Sequence, residues 1–196
     1  MPRPPRHWIP GGIYHVTVRG NNREPMFWDD QDYQRYLLEL RACRADHPYG
    51  LLAYALMPNH VHLIVQSRPD HSLSRTMQRL GSLYARYVNA RHGRVGHVSQ
   101  GRFYSNHVDR DAYLLEASRY VHLNPVKARL ALRPADYSWS SYRVYVTSQA
   151  DPLGLVDPNP ILEQFGSTPQ EQRTRYREFV EEPADAKGVR PLVQGV

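Results

Sequence analysis

The sequence is nearly without cysteine and lysine. Cys43 is the single thiol among 196 residues, which excludes an internal disulfide and any zinc site built on cysteines. Of the 25 basic residues only Lys127 and Lys187 are lysines; the other 23 are arginines. Neither lysine stands in a Gly-Lys-Ser/Thr setting, so a P-loop nucleotide-triphosphatase is excluded. Long apolar runs are missing as well. The longest, residues 51–57 (LLAYALM), is far short of the ~20 residues a membrane helix needs. No apolar stretch follows the MPRPPR start, so no signal peptide is visible and a cytoplasmic, nucleoid-associated protein is expected.

What is present suits a globule. Hydrophobic residues make up 41% and charged residues 22%, and the length fits one domain with an appendage. The charge is uneven. Residues 1–67 carry a net +1, residues 68–133 a net +8 and residues 134–196 a net −3. The basic middle implies a polyanionic partner, most simply nucleic acid; a solvated surface is the plainer alternative.

Hydrophobic periodicity then orders the chain. Ile13–Arg19 (IYHVTVR) is β-branched and aromatic between glycines and reads as a strand. Asp29 or Asp30 caps a helix whose apolar face is Tyr33, Tyr36, Leu37 and Leu40. Residues 51–57 have the length of a buried strand, Pro58 and Asn59 form a turn, and His60–Gln66 (HVHLIVQ) completes a hairpin. Residues 73–89 are a strong helix, with Leu73, Met77, Leu80, Tyr84 and Tyr87 as apolar stripe and Arg75, Arg79, Ser82 and Arg86 opposite. A fourth strand is expected within Val98–Val108, around Arg102, Phe103 and Tyr104. A helix starting at Asp109 or Asp111 then runs to about His122, with Pro125 kinking it or opening a second piece. The order β-α-β-β-α-β-α implies an α+β, ferredoxin-like antiparallel sheet with helices on both faces. We divide the chain into a core with a short basic arm (1–133), an appended helical and aromatic element (134–182) and a flexible tail (183–196).

Two pairs of residues carry chemistry. Side chains alternate along a strand, so His60 and His62 share a face and lie ~7 Å apart, within reach of one divalent ion. By itself this spacing describes two surface histidines better than a metal site. Tyr120 and Asn124 lie one turn apart on a helix, about 6 Å along its axis. A phenol is a nucleophile and an amide oxygen a ligand for hard cations. Alone, they read as a half-buried aromatic and a cap before Pro125. Together with the arginine-rich middle, the two pairs fit transfer of a DNA phosphodiester to tyrosine. A metal would withdraw charge from the phosphate and orient it. Free tyrosine titrates near ~10, so only about a thousandth is phenolate at pH 7. Metal, positive field and alignment must supply the rest. Rejoining needs no ATP, in keeping with the missing P-loop.

The sequence also resembles a known family. Residues 11–20 (GGIYHVTVRG), 21–28 (NNREPMFW), 54–65 (YALMPNHVHLIV), 100–105 (QGRFYS), 117–130 (ASRYVHLNPVKARL) and 137–145 (YSWSSYRVY) are similar to the REP-associated tyrosine transposases, members of the HUH single-strand DNA endonucleases. The resemblance spans about residues 7–146, and MPNHVH and RYVHLNP are its most specific marks. It implies His60 and His62 as metal ligands, Asn124 as third ligand, Mg²⁺ or Mn²⁺ as the metal, and Tyr120 as the nucleophile of a 5′-phosphotyrosine link. The implied substrate is single-stranded DNA beside REP-type palindromic hairpins. It also implies a working monomer, although relatives include dimers that exchange the tyrosine helix. Two positions depart from the family's usual pattern. Tyr104 stands where lysine is common, and Arg129 where glycine is common.

Other residues divide between binding and packing. Arg75, Arg79 and Arg86 face solvent and are candidate DNA contacts. Arg102 reaches a phosphate or pairs with Asp109 or Asp111. Arg3 and Arg6 grip a hairpin or its flanking tetranucleotide, or form a leader. His15 reads as a packed histidine, His122 as lying on another helix face than Tyr120, and Cys43 as a packing residue; Trp139, Tyr142 and Tyr145 form the core of the appended element or stack on bases. Two competing functions keep the same fold: a DNA-hairpin-binding regulator without catalysis, and a hydrolase that attacks through metal-bound water.

Overall fold

The alternation read from IYHVTVR holds in the computed structural model, which describes residues 8–109, 111–149 and 151–182. Ile13–Arg19 forms β1, and a short 3₁₀ turn covers Asn21–Arg23. Helix α1 (Asp30–Asp46) begins where Asp29 accepts hydrogen bonds from the backbone N–H groups of Gln31 and Asp32, satisfying donors that a helix start otherwise leaves orphaned. The hairpin follows as β2 (Gly50–Met57) and β3 (His60–Gln66). Helix α2 (Leu73–His92) ends on Gly93 in the left-handed conformation, φ 60°. The core closes with β4 (Tyr104–Val108) and α3 (Asp111–Lys127). Beyond it lie α4 (Tyr142–Val146), α5 (Asn159–Leu162) and α6 (Pro169–Glu181).

The strands form one antiparallel sheet in the order β2-β3-β1-β4. Helices cover both faces, as the element order implied. Tyr14 and Val16 of β1 and Val61, Leu63 and Val65 of β3 point into a core shared with α1 and α2. Ile64, Ala53 and Ala55 point the other way, into a core with α3, α4 and α6. Burial on both faces explains why β2 is continuously apolar.

Two polar knots fix the helices. At the first, Arg91 near the end of α2 pairs with Asp29 (2.6 Å) and Asp32, and His92 Nε2 lies 3.0 Å from Asp32. At the second, the buried ring of His122 bridges α3 to the C-terminal segment, with Nδ1 2.7 Å from Tyr176 Oη and Nε2 2.8 Å from Ser141 Oγ. Burial pushes the His122 pKa down to about 3, so the ring is neutral, donating at one nitrogen and accepting at the other. Tyr142 and Tyr145 are wholly buried beside it, and Trp139 stacks on Tyr33 at 4.7 Å. Tyr142 and Tyr145 pack in the core of the appended element, as expected, whereas Trp139 packs against the α1 side of the sheet.

Two expectations need correction. The fourth strand starts at Tyr104, not around Arg102. Ser99 bridges Gly20 and Gln100 N–H meets the Arg19 carbonyl at 2.8 Å, but Gly101 then turns the chain at φ 61°, and the regular ladder with β1 runs from the Thr17–Tyr104 register. Nor does Pro125 open a second helical piece: α3 runs through it. Pro125 lies in the last turn, where its missing N–H costs only the bond to the Val121 carbonyl. The helix then closes with Leu130 N–H on Pro125 O and Arg129 N–H on Val126 O, both 2.9 Å. That is a Schellman motif with Arg129 at its left-handed position, φ 58°. Arg3, Arg6 and the 183–196 tail lie outside the described residues.

Candidate functional site

Antiparallel pairing lines up the polar face of the sheet. One row across it reads Ala55, His62, Thr17, Tyr104; the next reads Ile64, His15, Asn106. Because the side-chain period of a strand is two, His60, His62, His15 and Thr17 all face α3. The ring of Tyr120 stands edge-on to His62 at 5.5 Å and to His15 at 5.8 Å between centroids. The rings of His60 and His62 are 4.9 Å apart and perpendicular. Lys127 Nζ lies 5.1 Å from the centre of the Tyr120 ring. The structure thus brings Tyr120 of the helix pair to the ring of His62 in the strand pair, although His60 and Tyr120 are 60 residues apart in sequence.

The hydrogen bonds select the tautomer of His60 and hold the ring of His62 by its Nδ1. Asn59 Nδ2 donates to the Arg23 carbonyl (3.2 Å), which orients its Oδ1 as the acceptor 2.7 Å from His60 Nδ1. The proton of His60 is therefore on Nδ1 and the Nε2 lone pair is free. His62 Nδ1 has His15 Nε2 at 3.0 Å and Thr17 Oγ1 at 3.3 Å, which again suits a proton on Nδ1 and a free Nε2. Burial, then the Arg19 charge, pushes the His60 pKa down to about 4; burial alone does the same for His15. Burial, with His15, His60 and Arg19, lowers His62 well below the usual histidine value. All three rings are neutral at pH 7, the form in which imidazole binds metal.

The NNREP segment explains itself here. Gly20 N–H donates to Asn59 O (2.8 Å), and Met26 and Phe27 N–H groups both donate to Pro58 O. A Cβ on Gly20 would sit 2.1 Å from the Glu24 carbonyl, so only glycine permits this close approach. The loop after β1 thereby clamps the turn that orients His60.

The third candidate ligand, Asn124, donates from Nδ2 to the Tyr120 carbonyl at 2.8 Å. Its Oδ1 has no protein donor among the described residues, and its i, i+4 spacing puts it on the Tyr120 face of α3. No group of three or more His, Cys, Asp or Glu side chains able to hold a metal occurs among the described residues. The donors on offer are two imidazole nitrogens and one amide oxygen. Each imidazole is braced from behind by a hydrogen bond, the arrangement metal-binding histidines need. The set fits a divalent cation that keeps open positions for phosphate or water.

The arginines are not brought to this site. Arg75, Arg79 and Arg86 are exposed on α2, which packs on the opposite face of the sheet, and Arg79 pairs with Asp46 at 2.5 Å. Arg102 lines a groove of about 780 Å³ on that same opposite side, with Trp8, Val18 and Gln78. His15, Thr17, Asn59 and Lys127 were not singled out for the site by sequence reasoning. His15 is buried as expected, 3% exposed. Its packing partner, though, is the candidate ligand itself. The alternation of β1 offered a signal for His15 and Thr17, but not the identity of the neighbouring strand.

Residues 10–124 match a family model described as "Transposase IS200 like". A REP-associated tyrosine transposase of Escherichia coli (strain K12) is 22% identical over 138 residues, 70% of this chain and 80% of that protein. A solved structure of a REP-associated tyrosine transposase bound to a REP hairpin is similar in fold, with a TM-score of 0.65 and 21% identity over 80% of this chain and 92% of that chain.

Proposed function

The chain belongs to the IS200-like transposase family, and from that premise we propose that it is a single-strand DNA endonuclease and strand transferase with Tyr120 as its nucleophile. One observation carries the reading: the phenol ring on α3 stands 5.5 Å, centroid to centroid, from the ring of the strand histidine His62. The substrate class is DNA beside short palindromic hairpins of the REP type. The named function of the similar Escherichia coli protein and the hairpin held by the similar structure support it.

In the proposed step the Tyr120 oxygen attacks phosphorus. A bond from the phenol oxygen to the 5′-phosphate forms, the bond from phosphorus to O3′ breaks, the phenol proton is lost and O3′ gains one from solvent. The phosphotyrosine retains the energy of a phosphodiester, so a 3′-hydroxyl rejoins the strand by the reverse step without ATP. His60 and His62 through Nε2, and Asn124 through Oδ1, are the residues that would hold Mg²⁺ or Mn²⁺, which when bound withdraws charge from the phosphate and orients it. Lys127 adds a positive charge over the nucleophile's ring. His15, Thr17 and Asn59 keep the two imidazoles from rotating. Contacts of His122 with Tyr176 and Ser141 hold α3 through the same chain's C-terminal segment, which supports a monomer as the working unit.

The test is a single-strand cleavage assay on a hairpin substrate with Mg²⁺ or Mn²⁺, resolved on a denaturing gel. Tyr120→Phe should abolish the covalent protein–DNA band and leave hairpin binding nearly intact. A band that persists in the variant rejects Tyr120. Free DNA ends without adduct would mean attack by water, and binding without cleavage would mean a regulator.

A further inference from the structure

We propose that Tyr104 is a stacking platform for a nucleobase next to the phosphate that Tyr120 attacks. The proposal rests on the tyrosine-nucleophile reading and extends it to the substrate strand. Tyr104 pairs with Thr17, and Thr17 Oγ1 is 3.3 Å from His62 Nδ1. Directly paired residues point to the same face of a sheet. Tyr104 therefore shares the face of His62, two strand spacings away, or roughly 10 Å.

Its exposure sets it apart. Tyr142, Tyr145 and Tyr176, which pack under α3 on this side of the sheet, are 0% exposed, whereas Tyr104 is 48% exposed. It opens β4, the edge strand, which pairs with β1 alone. A ring this exposed at the sheet edge gains little from the core. Tyr113 lies two helical turns before Tyr120 on the same stripe of α3. Helix α3 packs against β4 as well as β3, so the stripe that carries Tyr113 and Tyr120 borders the strand that Tyr104 opens.

The occupant follows from continuity. A strand whose phosphate sits at Tyr120 must pass over the adjoining surface, where Lys127 supplies a positive charge at the Tyr120 ring and Tyr104 a half-exposed aromatic. A neutral ring offers a phosphate little, but it stacks on any base and so tolerates sequence.

The test uses the full chain in a Tyr120→Phe background, to prevent cleavage, and fluorescence anisotropy. The probes are a DNA hairpin with a single-stranded thymidine flank and the same hairpin with an abasic flank. Tyr104→Leu should weaken binding of the thymidine probe by roughly 5- to 150-fold and leave the abasic probe unchanged. Tyr104→Phe, which keeps the ring, should bind like the parent. Equal losses on both probes, no loss on either, or a Phe variant as weak as Leu would overturn the platform. Loss of the adduct in Tyr120→Phe, scored separately, shows whether the nucleophile reading stands when the platform falls.

Discussion

His15 Nε2 lies 3.0 Å from His62 Nδ1, with the two rings nearly parallel at 24°. Neither residue is near the other in sequence, and the contact exists because β1 and β3 are neighbours in register. With the His62 proton on Nδ1, His15 is an acceptor that holds the ring edge-on to Tyr120, 5.5 Å away between centroids. It is a positioning residue, touching neither the proposed metal nor DNA.

His15→Leu should therefore weaken Mn²⁺ binding by about 10- to 100-fold, the usual cost of losing such a brace. Isothermal titration of the DNA-free protein measures this without any turnover. His15→Gln, whose side-chain oxygen can accept the same hydrogen bond, should recover part of the loss. Unchanged affinity in the leucine variant would remove His15 from the site.

Arg129 occupies the left-handed position that closes α3, at φ 58°. Its neighbours' hydrogen bonds, Leu130 N–H to Pro125 O and Arg129 N–H to Val126 O, require that conformation. A side chain there costs about 1 kcal/mol against glycine. Arg129→Gly should raise the thermal midpoint by about 2–4 °C, and a β-branched Arg129→Val should lower it. Differential scanning calorimetry distinguishes these; a glycine variant no more stable than the parent would show the cap is unstrained.

The α1–α2 knot makes stability depend on pH. Burial works to raise the Asp32 pKa, but the Trp28 N–H, His92 and Arg91 outweigh it, and the carboxyl sits below its ordinary value. Arg91, chiefly by its hydrogen bond, holds Asp29 at about 2. Both carboxyls are depressed in the folded state, so the unfolded chain takes up their protons first as pH falls. Their stabilisation is full above the ordinary carboxylate pKa near ~4 and disappears as pH drops toward about 2. Asp32→Asn should cost about 1–3 kcal/mol at pH 6 and flatten the slope of urea stability between about pH 4 and 2. A parallel shift with the wild-type slope would contradict the assignment.

Much of the site could be read from spacing. The period of two put His60 and His62 on one face, and the helical period put Tyr120 and Asn124 on one stripe. Ile13–Arg19 and His60–Gln66 have the limits expected from their composition. Where local order depended on a partner, reading failed. Nothing around Arg102 and Phe103 announces that the ladder runs only from Tyr104, because Gly101's turn breaks the pairing that Ser99 and Gln100 begin.

Composition and periodicity by themselves determined the strands, the helices, the α+β class and the two pairs of reactive side chains. These depend on residues a few positions apart, whose geometry the backbone dictates. Only the tertiary structure decided that β1 lies between β3 and β4, that His15 and Asn59 brace the histidines, and that the α2 arginines lie behind the sheet. Those relations join residues tens of positions apart through single contacts of about 1 kcal/mol each, and no local pattern encodes which of many such contacts the folded chain will keep.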